Sequence, residues 1–280
     1  MKRSIANAYG TYRKHLPELI KYIRYTQLRL KDGYLVDCCL PDIYLIIQIL
    51  SDECYFPLSV LSELTIIVIK DDIIIVNNEV FSQKRRLLSS IDWTSHVIIS
   101  IDNDEPKVLH ETIMLDEISS LVSNLLDSSS LVSVPSLVAD RAIKVLTVIE
   151  CPEFERKVGY AFLAGWLLGY ACIYRSTNPQ YNCLSNVALR KFTLSLARCD
   201  GKEEDHACIQ QFTIPESLLL DDDSSSASRG VHSLVARQVE RIASRLAELG
   251  PLAWAPASDS PAPYKVVLAT ATVVSPAVSL

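Results

Sequence analysis

Two aspartates, Asp37 and Asp102, each stand directly after a short apolar run, Tyr34-Leu35-Val36 and His96 to Ile101. Residues that follow parallel strands collect at the carboxyl edge of an α/β sheet, where ligands bind. Two carboxylates brought together there have the oxygen chemistry to share a magnesium ion. Asp102-x-Asp104 after VIISI also has the D-x-D spacing in which one carboxylate attacks phosphorus and the second moves protons. A metal-dependent phosphoester hydrolase using Asp37 and Asp102 is therefore one alternative. The Thr/Ser, Lys and acidic partners of that chemistry do not fall at assignable positions. The plainer expectation is that Asp37 and Asp102 cap the helices that follow, with Asp104 opening a turn.

A second constellation is the polar segment 176–186, STNPQYNCLSN, between two apolar stretches. Exposed connections of this kind commonly carry binding residues, which makes Tyr181, Asn182 and Ser185 the candidate binding residues. Cys183 is the thiol best placed for exposure. A nucleophilic reading of Cys38, Cys39 or Cys183 needs His96, His110 or His206 as base. No nucleophile elbow or comparable signature surrounds any of the three, and free cysteine is most often buried. Asp37, Asp102 and Cys183 are the catalytic candidates. No metal ligand is assigned: Cys199 and Cys208 bracket His206, but DGKEEDHAC reads as a solvated hairpin and would need further ligands. The eight glycines form neither G-x-G-x-x-G nor a Walker A pattern, so no nucleotide cofactor is implied and the cofactor is unknown.

The elements that must position these groups alternate between helical and β periods. Pro17 to Leu30 reads as an amphipathic helix ended by Gly33, and Tyr34 to Cys39 as a short buried strand. Pro41 to Leu50 follows as a helix with proline in its first turn. LTIIVIK and IIIV, separated by Asp71-Asp72, read as a hairpin. Phe81 to Ser90 reads as a helix, HVIISI as a strand buried on both faces, and Glu111 to Leu126 as a helix. Beyond a serine-rich connection at Ser128 to Ser130, a helix is expected from Pro135 to about Ile149. An apolar helix then follows Pro152, with strands near 171–174, 191–197 and 208–214. Val231 to Leu249 is a further helix and Tyr264 to Val274 a final strand. Together these give an α/β fold with a mixed, largely buried sheet flanked by helices. It is expected as one domain over 1–280, with flexible polar links near 221–229 and 251–263.

Composition narrows the function classes. Hydrophobic residues make up 49% of 280, enough for a full core, which excludes disorder of the whole chain. Basic residues number 27 against 33 acidic ones and are scattered, so the footprint of general nucleic-acid binding is missing. The first residues lack the apolar core of a secretory signal and the eight cysteines show no C-x-x-C pair, so a reducing cytoplasm is expected. Val158 to Tyr174 is uncharged but short of the about 20 residues a span needs. Ala161, Gly165 and Gly169 there are spaced to let a helix backbone approach a sheet, so no membrane span is expected.

The stretch LLGYACIYRSTNPQYNCLSNVALRKFTLSL, followed by Phe212 to Leu218 and by Pro276 to Leu280, resembles the uncharacterised family named after human chromosome 1 open reading frame seventy-four. The resemblance runs from roughly residue 34 to the end and implies a conserved domain of unknown function with no established catalytic residues to carry over. It does not extend to Asp104. The resulting expectation is an uncharacterised soluble intracellular protein with a small-molecule or partner site formed by Asp37, Asp102 and the 176–186 segment. Besides the hydrolase, the other alternative is a non-enzymatic interaction or adaptor protein. Its sheet and polar loop would present the partner surface, and the Val278-x-Leu280 tail resembles a strand-adding peptide ligand that a carboxylate-binding nest captures.

Overall fold

The computed structural model describes residues 14–37, 42–57, 59–88, 96–102, 105–109, 112–135, 142–177, 184, 186–198, 207–220, 226–249 and 264–274. It is an α/β fold of helices and mixed sheets, and the described strands form one five-stranded and two three-stranded sheets. The chain divides into two compact units, Met1–Leu87 with Ser123–Cys151, and Leu88–Val122 with Pro152–Leu280.

The first unit begins with α1 (Leu16–Gln27), whose Leu19 and Ile23 lie one turn apart on a buried face. The helix stops before Gly33: Arg29 turns to φ 61° and Gly33 opens β1 (Gly33–Leu35). Helix α2 (Ile43–Leu50) is capped by Asp42, whose carboxylate accepts from Tyr44 N at 2.8 Å. The short α3 (Val60–Glu63) leads into β2 (Leu64–Ile69) and β3 (Asp72–Asn77). These two strands form the expected hairpin, but the turn is Lys70-Asp71, one residue earlier than Asp71-Asp72. Ile69 pairs with Asp72 and Lys70 takes the positive φ of 52° that a tight hairpin demands.

Asn77 then caps α4 (Asn78–Leu88) by accepting from Glu79 N and Val80 N. Strand order is β1-β3-β2-β7-β6, with β6 at Ser130–Pro135 and β7 at Ala142–Val148. Here the expected helix over Pro135 to Ile149 is corrected. Residues 142–148 alternate between exposed and buried, apart from consecutive Val145 and Leu146, and β7 runs parallel to β2 from Lys144 to Val148. The β-branched IKVLTV run meets an apolar neighbouring strand, and pairing there outweighs helical spacing. One face of this sheet buries Ile66, Ile73, Ile75 and Val145 beneath side chains of the first three helices.

The second unit holds β4 (Val97–Ser100), β5 (Lys107–Val108) and most of α5 (Thr112–Ser128). All four residues of β4 are buried, as its continuous apolar run requires. The uncharged stretch 158–174 is neither one helix nor a span. Helix α6 (Pro152–Lys157) ends before Gly159, whose φ of 87° reverses the chain into α7 (Tyr160–Leu168). Gly169 closes α7 in the left-handed conformation, and Tyr170 N bonds back to Gly165 O. The chain continues into β8 (Cys172–Arg175), parallel to β4. A Cβ on Gly165 would stand 3.2 Å from the Ile173 side chain, so this glycine does allow close packing on a strand, while Gly169 serves the helix end.

The third sheet has the order β10-β9-β11: β9 (Ala188–Arg198) lies between β10 (Ala207–Pro215) and β11 (Tyr264–Val274), antiparallel to both. Segment 199–206 thus joins antiparallel neighbours. Among the described residues two further helices belong to this unit, α8 (Ser217–Leu220) and α9 (Ser226–Leu249). The latter starts inside the stretch read as a polar link near 221–229. Among the described residues no helix is long and apolar enough to cross a membrane.

Candidate functional site

Strands β4 and β8 run side by side with Ser100 opposite Arg175, so their carboxyl ends open at one edge. Asp102 stands two residues beyond Ser100. Its Oδ2 accepts from Ser100 Oγ at 3.2 Å and from Arg175 Nη1 at 3.1 Å, and its Oδ1 accepts the backbone N–H of Thr177. The Asp102 and Arg175 side chains are 17% and 15% exposed, too enclosed for water and salt to screen the pair as on an open surface. The carboxylate thus fastens the opening of the 176–186 segment to the end of β4. It does not cap a helix. The expected capping role belongs instead to Asp42.

Arg175 has a second anchor: its Nε donates to Lys157 O at 2.8 Å. Lys157 and Arg175 are the two charges that bracket the uncharged stretch, and the break at Gly159 lets the chain double back so that its ends meet. A Cβ on Gly159 would lie 2.5 Å from Ser176 O, a contact with backbone that has no room to yield. Beyond this enclosed pair, Lys157 Nζ reaches Glu117 Oε1 at 2.7 Å and Glu153 Oε1 at 3.2 Å on the exposed side. The hydrogen bond from Lys157, and then its charge, hold the Glu117 carboxyl below the usual glutamate range. The hydrogen bonds to Glu117 and Glu153 push the Lys157 ammonium up.

The other expected residues fall elsewhere or outside view. Asp37 belongs to the first unit, where it is exposed after β1 with its N–H bonded to Leu35 O at 3.1 Å. Tyr181, Asn182, Cys183 and Ser185 lie outside the described residues, as do Cys38, Cys39, Cys199, Asp104, His110 and His206. His96 donates from Nδ1 to Tyr170 O at 2.8 Å, at the amino end of the β4–β8 pair. Four strand residues put it about 13 Å from the end that carries Asp102. Burial pushes the Cys172 thiol far up, so it is inert. Cys54 is exposed, and its hydrogen bond to Asp52 and that residue's charge also push its thiol up. Among the described residues no three His, Cys, Asp or Glu side chains stand together to hold a metal ion.

Sequence reading missed Arg175, Thr177 and Gly159. The signal for Arg175 present in the sequence was its position as the first charge after the uncharged stretch. It also missed the first unit's enclosed pair, Lys84 Nζ to Asp32 Oδ2 at 2.8 Å.

A family model described as Domain of unknown function (DUF4504) matches residues 12–234, from before α1 into α9. No curated protein matches, and no solved structure matches.

Proposed function

The chain belongs to the DUF4504 family, and from that premise, which brings no reaction with it, we propose that the protein binds a small polar ligand at the carboxyl ends of β4 and β8. The observation that carries this reading is the Asp102 carboxylate holding both Arg175 and the amide of Thr177. A parallel strand pair presents its carboxyl ends to ligands, and here the connection leaving that edge is tied down at its first turn. Asp102 and Arg175 are positioning residues, and Tyr181, Asn182 and Ser185 supply the ligand contacts. The same reading takes the family to be the one named after human chromosome 1 open reading frame seventy-four, and the protein to be soluble and cytoplasmic. The break of the uncharged stretch into α7 and β8 supports solubility.

The hydrolase alternative is disfavoured by the same geometry. A nucleophilic aspartate needs an oxygen free to attack in line, and three donors already engage the two oxygens of Asp102. The test is an NMR fragment screen of the labelled full chain with carboxylates, phosphate monoesters, primary amides and amines at about millimolar concentration. Binding is expected to shift the Ser100, Asp102 and Thr177 amides and to be lost in Asn182→Ala. In Asp102→Asn it should weaken about tenfold, the cost of one charge-assisted contact. Shifts that leave these amides untouched, or no binding by any fragment, would overturn the proposal.

A further inference from the structure

We infer that β11 is the dimerisation edge of this protein, pairing antiparallel with β11 of a second copy about a two-fold axis at Ala269. All eleven residues of β11 pair with β9, from Tyr264 opposite Arg198 to Val274 opposite Ala188, and among the described residues no strand pairs with its other side. A free edge is a template for another strand, and folded proteins blunt such edges with charge, proline, bulges or short length. The edge strand β6 of the first unit follows this rule, being six residues long and ending at Pro135. By contrast β11, YKVVLATATVV, has no proline, no glycine and a single charge, Lys265. Its register against β9 runs without a bulge.

A second copy fits this edge by its pattern of charge and apolar side chains. With the axis at Ala269, Lys265 falls opposite Val273, and the two lysines stand about 26 Å apart, so no like charges meet. Leu268 and Val274, which are 41% and 62% exposed, come to lie beside Thr270 and Tyr264 of the other copy. The contact is isologous, as a closed dimer requires, and it joins two three-stranded sheets into one of six. Pairing of one strand edge buries less than the about 800 Å² per partner of a standard interface, so a weak, concentration-dependent dimer is expected.

Sedimentation velocity on the full chain from about 1 to 200 µM tests this. Ala269 is exposed, so A269K and A269E leave the β9–β11 pairing intact while setting like charges face to face across the axis. Each alone is expected to weaken self-association at least about tenfold, and an equimolar mixture of the two to restore it. A chain that stays monomeric throughout, or a dimer indifferent to both substitutions, would overturn the inference. So would dimerisation only after removal of residues 275–280, which would make the chain's own tail the occupant of the edge.

Discussion

Among the described residues each unit contains an enclosed ion pair. Asp32 and Lys84 of the first unit have side chains 9% and 13% exposed, little different from those of Asp102 and Arg175 in the second. Burial does not separate the two pairs, but their partners and positions do. Lys84 is a compact ammonium on α4 that meets an aspartate just before β1, the short edge strand of a sheet buried under three helices. Arg175 is a planar fork at the end of a parallel strand, and it shares its carboxylate with a hydroxyl and with the amide of a departing loop. The first arrangement neutralises a charge inside a fold. The second spends its bonds on aiming a connection.

The sharpest way to break this comparison is to remove one cation from each pair. Lys84→Met leaves Asp32 enclosed without its ammonium partner and is expected to cost about 3–5 kcal/mol in urea unfolding, much of it recovered in the Asp32→Asn/Lys84→Met double variant. Arg175→Met leaves Asp102 with Ser100 and Thr177 and is expected to cost only about 1–2 kcal/mol. It should also speed hydrogen exchange at the Thr177 amide. Equal losses in the two variants would mean that both pairs are simply core neutralisation.

Gly159→Ala sharpens the second half of the comparison by acting on backbone alone. At φ 87° an alanine is strained, and its Cβ would press on Ser176 O at 2.5 Å. A loss of about 2–4 kcal/mol is expected, with the Arg175 to Lys157 bond disturbed because residues 157 and 159 move together. Thermal unfolding unchanged from the parent chain would show that the close return of the chain at this point is not required.

Sequence alone reaches some elements of these units and not others. The hairpin β2–β3 and the buried strand β4 are legible because long β-branched runs offer no competing helical face. Strand β7 is not: its AIKVLTV segment has apolar residues at both helical and alternating spacings, and its pairing with β2 on one side and β6 on the other decides between them. The site shows the same division. Asp102 is legible as a strand-end acid from local sequence, whereas its partners depend on the pairing of Ser100 with Arg175, a contact 75 positions apart that no local pattern announces.

The smallest effect is expected at Lys157, and its size is informative because this residue borders the enclosed pair while its own ion pairs face water. Its side chain is 47% exposed and that of Glu117 54%, so their attraction is screened and contributes little to stability. Its signature is in titration instead. Glu117 has a lowered pKa in the fold, so its contribution is fully present above the ordinary glutamate value and is lost as pH falls through the lowered one. Lys157 has a raised pKa, so its contribution is present below the ordinary lysine value and is lost as pH rises through the raised one. Carbon-detected NMR titration of Lys157→Met is expected to return Glu117 most of the way to the usual range. A residual depression is expected to remain, because the nearby Arg175 charge also lowers it. Complete return would show that the charge of Arg175 is spent on Asp102. No return would mean that Lys157 does not hold Glu117 in solution, and the exposed rim would then have no part in positioning the strand ends.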